Sequence, residues 1–169
     1  MKVVLTIAGS DSSGGAGIQA DLKTFAAYGV YGVTAVTAVT AQNTKGLSAN
    51  HSVPSEVILT QIEAVLLDGP IAAVKTGMLS SALSVESVAT SMKKHHIPNL
   101  VVDPVIMTSS GSPLMSDSAI DLLKRTLLPL ACVVTPNRLE AERLSGKPIT
   151  STAHVHDAAR RLHDLGPKT

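Results

Sequence analysis

The chain has 169 residues, of which 44% are hydrophobic and only 2% aromatic, with a net charge of +1 and one cysteine. This length makes one α/β domain or part of a larger one, its core filled by Val, Leu, Ile and Ala in place of aromatics. The near-zero charge and scarce stacking aromatics argue against a nucleic-acid partner. No apolar run is long enough to span a membrane or resembles a leader, and a lone cysteine forms no internal disulfide, so a cytoplasmic protein is expected.

Residues 2–8 form an apolar run that predicts a buried first strand. A stretch of small residues follows and leads into a helix over about residues 16–28, where Ile18, Leu22, Phe25 and Ala26 recur at helical spacing and Gly29 stops it. Residues 32–41, rich in Val and Thr, predict a second strand that turns polar at Gln42-Asn43-Thr44-Lys45-Gly46. Residues 47–53 read as a short extended excursion. Pro54-Ser55-Glu56 opens a helix with Val57, Ile58, Ile62, Val65 and Leu66 on one face, closed at Asp68-Gly69-Pro70. Residues 71–76 predict a third strand ending on Gly77-Met78, and residues 82–95 a helix. Pro98-Asn99 turns into a strand over residues 100–103. Residues 103–111 form a longer loop with its own patch of small residues, and Ser116-Asp117-Ser118 caps a helix to residue 127 or 128. A fifth strand over residues 132–135 runs into Pro136-Asn137-Arg138-Leu139-Glu140 and a helix ending at Ser145-Gly146. Thr150-Ser151 opens the last helix, to about residue 165. Strand and helix alternating five times imply a parallel sheet covered on both faces, with right-handed crossovers.

The unusual residues stand just past the strand ends: Gly9 and Asp11, Gln42, Gly77 and Met78, Asp103, Asn137. In an open α/β sheet those ends share one edge, where ligands bind. Gly9, Gly14, Gly15 and Gly17 let the backbone take positive φ and admit a ligand where a Cβ would block it. The helix behind them brings unpaired N–H groups and a positive dipole end. No Lys-Ser/Thr follows the glycines, so the loop is not a P-loop. Residues 15–20 do fit G-x-G-x-x-A, but no carboxylate between Asp21 and Glu56 is available for a ribose, which argues against a dinucleotide.

Asp103 precedes a proline that keeps it extended; its carboxylate suits Mg²⁺ held through water, or a simple turn. Asn137 and Glu140 share a face at a helix start, where phosphate placement and plain capping fit equally well. Gln42 offers a donor beside an acceptor, suited to a heteroaromatic ring with an amino group next to a ring nitrogen, or to tying down a loop. Met78 can cover a flat ring or fill the core. Asp21 can accept from a substrate hydroxyl or favour the helix dipole. Lys75, unexpected in an apolar strand, is either a phosphate contact or a side chain reaching for solvent. Cys132 reads as a small core residue, and His95, His96, His154, His156 and His163 as solvated helix residues.

The stretch Ala8-Gly9-Ser10-Asp11-Ser12-Ser13-Gly14-Gly15-Ala16-Gly17-Ile18-Gln19-Ala20-Asp21-Leu22-Lys23-Thr24 resembles the N-terminal signature of the hydroxymethylpyrimidine/phosphomethylpyrimidine kinases of thiamine biosynthesis. The likeness continues through Thr37-Ala38-Val39-Thr40-Ala41-Gln42-Asn43-Thr44, Lys75-Thr76-Gly77-Met78-Leu79, Val102-Asp103-Pro104-Val105 and Thr135-Pro136-Asn137-Arg138-Leu139-Glu140-Ala141. It implies a ribokinase-like three-layer sandwich, a mostly parallel central sheet with helices on both faces. It also implies an ATP- and Mg²⁺-dependent kinase that phosphorylates 4-amino-5-hydroxymethyl-2-methylpyrimidine and then its monophosphate, and a homodimer. By this resemblance Asp21 and Gln42 contact the pyrimidine, Gly9, Ala16, Met78 and Val105 line its pocket, and Asn137 and Glu140 help place metal and phosphate. Asp103 and Glu140 are then expected to face Mg²⁺ through water, and Asp103, Asn137 and Glu140 the phosphates of the nucleotide. Residues 1–169 contain no match to the family's later Gly-Thr-Gly segment, which forms the anion hole and carries the catalytic base. The chain is therefore expected to be the N-terminal and central part of a single kinase domain, with its base beyond residue 169. Pyridoxine or pyridoxal phosphorylation by the same fold, and a catalytically inactive pyrimidine-binding fragment, are the alternatives.

Overall fold

The structure, a computed structural model, describes residues 1–107 and 113–169. Its strands are β1 (Val3–Asp11), β2 (Tyr31–Asn43), β3 (Gly46–Ser52), β4 (Ala73–Thr76), β5 (Leu100–Val102) and β6 (Val133–Val134). They form one sheet in the order β3-β2-β1-β4-β5-β6, parallel throughout except for the β2–β3 pair. The helices are α1 (Gly17–Ala27), α2 (Ser55–Leu67), α3 (Ala82–Lys94), α4 (Asp117–Leu122), α5 (Arg138–Ser145) and α6 (Thr152–His163).

Residues of β1 alternate between two covered faces, which is why Val3 to Ala8 are apolar but for Thr6. Leu5 and Ile7 join Ile58 and Ile62 of α2 and Val85 and Val88 of α3 in the buried core. Thr6 and Ala8 point the other way, where Thr6 meets Asp21 of α1. Helix α1 lies close on β2 because Gly32 has no side chain: a Cβ there would stand 2.5 Å from a Leu22 methyl and 2.9 Å from the Phe25 ring. Helix α1 carries the chain from β1 to β2 on one side, and α2 brings it back across β1 to β4 on the other. Strand β1 is thus the switch strand, and a crevice opens at its C-terminal end.

Three elements differ from the sequence expectation. Strand β1 continues to Asp11, past a register shift that places one extra β2 residue between Val36 and Val39, so the first part of the expected loop is strand. The extended excursion is a full antiparallel partner of β2, turned through Thr44-Lys45, where Asn43 Oδ1 accepts from Lys45 N–H (2.8 Å). Past the end of β3, Gln61 of α2 takes over the pairing: its side chain accepts from Val36 N–H (2.9 Å) and donates to Val36 C=O (3.1 Å). This covers an otherwise open strand edge. After Leu122 the helix loosens into a π turn (Leu123–Leu127) and a 3₁₀ turn (Leu128–Leu130), where Pro129 has no N–H to give.

Gly17 opens α1 at φ +57°, and a Cβ there would strike the Gly9 carbonyl oxygen. Gly17→Ala is expected to lower the unfolding free energy by about 1–3 kcal/mol. Gly29→Ala, at φ +68° with nothing within 4 Å, should cost less, about 1 kcal/mol. Urea denaturation of both variants checks the difference.

Candidate functional site

The C-terminal ends of β1, β2 and β4, the residues just past β5 and the start of α1 enclose a cleft of about 690 Å³. Gly9, Ala16, Asp21, Gln42, Met78 and Val105 line this cleft, and so does Asp103. The β2–β3 turn, Thr44 to Leu47, forms part of the rim. None of the chain's histidines is among the described lining residues.

The glycine loop is organised by Asp11, which is 4% exposed. Its Oδ1 accepts from the N–H and hydroxyl of Ser13 (both 2.9 Å), and its Oδ2 from Gly15 N–H (3.0 Å) and Ala16 N–H (2.8 Å). The sequence predicts unpaired N–H groups at the start of α1; the Asp11 carboxylate takes the two N–H groups just before that helix, which has no side-chain cap of its own. Burial pushes the Asp11 pKa up, but the hydrogen bonds from Ser13, Ala16 and Gly15 outweigh it and hold the carboxyl below its ordinary range. Gln19 adds a second brace, accepting from Asp11 N–H (2.8 Å) and donating to Ser10 Oγ (2.7 Å). Ser12 Oγ donates to Gln42 C=O (2.8 Å) and accepts from Gln42 N–H (2.9 Å), locking the ends of β1 and β2 together. Gln42 is one of the residues lining the cleft.

On the α1 side, Thr6 Oγ1 donates to Asp21 Oδ2 (2.6 Å). Lys75 of β4, level with Thr6 in the sheet, places Nζ 3.1 Å from Asp21 Oδ1 and 3.4 Å from Asp103 Oδ2. The lysine is therefore an ion-pair bridge between two half-buried carboxylates. Its signal in the sequence was only that a lysine stood in an apolar strand. Met78 is 9% exposed, yet it walls the cleft against Gly9, where a Cβ would come within 2.7 Å of its methyl. Thr37 donates to the Met78 carbonyl (2.6 Å) and fixes that wall.

Asn137 and Glu140 are not among the residues lining the cleft. They form a reciprocal cap on α5: Asn137 Oδ1 accepts from Glu140 N–H (3.1 Å) and Glu140 Oε2 from Asn137 N–H (2.9 Å). Glu140 Oε1 also accepts from Ile106 N–H (3.4 Å), which ties the chain after Asp103 to this helix. Glu140 is 3% exposed. Burial pushes its pKa up, the bonds from Asn137 and Ile106 pull it back, and nearby Asp103 adds to the rise. Of the two carboxylates expected at Mg²⁺, only Asp103 reaches the cleft; both oxygens of Glu140 already accept backbone N–H groups. Among the described residues no group of three or more His, Cys, Asp or Glu side chains is placed to hold a metal ion. Residues 108–111 of the expected small-residue loop lie outside the described residues.

A mostly parallel sheet between helical layers, with a polar cleft over its switch strand, defines a ribokinase-like α/β domain. The chain belongs to the phosphomethylpyrimidine kinase family, matched over residues 11–169. It is 49% identical over 168 residues to the hydroxymethylpyrimidine/phosphomethylpyrimidine kinase of Haemophilus influenzae, covering 99% of this chain and 62% of that protein. The crystal structure of phosphomethylpyrimidine kinase from Clostridium difficile is similar at TM-score 0.92 and 47% identity, covering 99% of this chain and 73% of that one. A pyridoxal kinase from Staphylococcus aureus in complex with pyridoxal is similar at TM-score 0.89 and 37% identity, covering 99% and 61%. The chain spans less than two thirds of the length of the curated relatives it matches.

The two shifted carboxyls give opposite pH behaviour. Asp11 titrates below its unfolded value, so its stabilisation is full above the ordinary aspartate range and is lost as pH falls through it. Asp11→Ala strands the Gly15 and Ala16 N–H groups and should cost about 1–3 kcal/mol at neutral pH, with a flatter acid limb in urea titrations. Glu140 titrates above its unfolded value, so stability is lost as pH rises from the ordinary glutamate range toward the raised one. Glu140→Gln, which keeps an acceptor for the cap, is expected to remove that loss in the same titration.

Proposed function

We propose that this chain binds 4-amino-5-hydroxymethyl-2-methylpyrimidine and its monophosphate as the acceptor side of an ATP- and Mg²⁺-dependent kinase of thiamine biosynthesis. The observation that carries this reading is that Gln42 and Asp21 line one cleft together with Met78. An amide carbonyl accepts from an exocyclic amino group while its NH₂ donates to the adjacent ring nitrogen. In this reading Asp21, oriented by Thr6 and Lys75, accepts from the substrate's hydroxyl end. The family match and the likeness to phosphomethylpyrimidine kinases support the same assignment.

Phosphoryl transfer depends mostly on positioning and charge stabilisation. In this reading the chain supplies the acceptor site as the N-terminal and central part of one kinase domain, with the anion hole and base contributed from outside residues 1–169. Asp103, a partly exposed carboxylate on the cleft, fits Mg²⁺ held through water, and Asn137 and Glu140 act from behind by fixing the chain after it. The ion would neutralise charge on the transferred phosphoryl group. No helix among the described residues is long and apolar enough to cross a membrane, and the reading carries a cytoplasmic homodimer.

Likeness to a pyridoxal kinase keeps pyridoxal as a second acceptor to be tested. Pyridoxal presents a ring hydroxyl and an aldehyde where the pyrimidine presents an amino group, so the Gln42 amide matches it less completely. Calorimetric titration should show the pyrimidine binding the wild-type chain, and Gln42→Ala weakening it by roughly tenfold. Tighter binding of pyridoxal than of the pyrimidine would overturn the assignment.

A further inference from the structure

If the reading above holds, the cleft accepts two unlike groups: a neutral alcohol and, after the first transfer, a phosphate monoester carrying about two negative charges. The charges on its described walls do not favour the second. Asp11, Asp21 and Asp103 stand against Lys45 and Lys75. Helix N-termini often take phosphate, but at this edge a carboxylate lies against the start of α1 and a side-chain cap fills the start of α5. Asp11 takes the Gly15 and Ala16 N–H groups before α1, and Asn137 takes the Glu140 N–H in α5. Lys45 stands on the exposed β2–β3 turn. Lys75 is the cation inside, held 3.1 Å from Asp21 and 3.4 Å from Asp103.

We propose that Lys75 is the specificity residue for the phosphorylated acceptor, the group that lets the cleft take a phosphate monoester as well as an alcohol. An ammonium has three donors, and the described residues engage it from two directions, Asp21 and Asp103. In the alcohol complex those carboxylates balance the buried cation. In the monoester complex the phosphate oxygens take over from Asp103, the longer of the two contacts, while Asp21 stays bound to Lys75 and Thr6. The flexible stem of lysine permits this exchange without moving β4.

The test is calorimetric titration of the full 169-residue chain with the pyrimidine alcohol and with its phosphate monoester, for wild type, Lys75→Gln and Lys75→Arg. Lys75→Gln is expected to weaken the monoester on the order of 10- to 100-fold more than the alcohol, and Lys75→Arg to recover most of that difference. Added salt should weaken monoester binding to the wild type more steeply than alcohol binding. Equal loss for both ligands in Lys75→Gln would make Lys75 a structural tie and overturn the inference alone. So would a wild type that binds the alcohol but not the monoester. A wild type that binds neither overturns the pyrimidine reading as well. Should circular dichroism show Lys75→Gln unfolded, the wild-type salt dependence decides, and identical slopes for the two ligands reject the proposal.

Discussion

The carboxylate of Asp11, seated on the N–H groups of Gly15 and Ala16, is the contact on which the rest of the cleft depends. It closes the glycine loop, joins the end of β1 to the start of α1, and holds Gly17 so near the Gly9 carbonyl that Gly17 has no room for a side chain. A buried carboxylate is tolerable because several donors converge on it. The same contact consumes part of the positive end of α1. A loop that resembles a phosphate cradle in composition is therefore an internally satisfied scaffold, and its glycines serve close approach more than anion binding.

Charge in the cleft is accordingly carried by side chains that bridge elements. Asp21 comes from α1, Lys75 from β4 and Asp103 from the turn after β5, so the ion-pair chain crosses three elements that are remote in sequence. Half-buried ion pairs of this kind are poor stabilisers compared with apolar packing, because both partners lose hydration. Their presence on the ligand-facing edge, beside an otherwise aliphatic sheet, is explained by chemistry better than by stability. Behind them, the Asn137–Glu140 cap and its bond to Ile106 hold the chain after Asp103 in place.

The sheet and its covering helices are shared with phosphomethylpyrimidine kinase and pyridoxal kinase structures, so under the proposed function discrimination between rings would fall to a few groups at this edge, such as Gln42 and Met78. Both stand at strand ends whose positions are set by hydrogen bonds to the backbone, from Ser12 in one case and Thr37 in the other.

What the sequence determined by itself was the alternation of elements, the parallel sheet and the edge that carries the ligand residues. Those features depend on periodicity and punctuation within a single strand or turn, as in the apolar run of β1 or Gly29 after α1. Six expected pocket residues, from Gly9 to Val105, could be placed for that reason: each stands beside a strand end or a helix start. The tertiary structure alone decided that residues 46–52 pair antiparallel with β2, because their small polar side chains show little alternation until a neighbouring strand supplies hydrogen bonds. It also decided that Asp11 takes the amides just before α1, that Asn137 and Glu140 cap α5 without lining the cleft, and that Lys75 bridges Asp21 and Asp103. A charged side chain has many potential partners along the chain, and only the packing of distant elements selects among them.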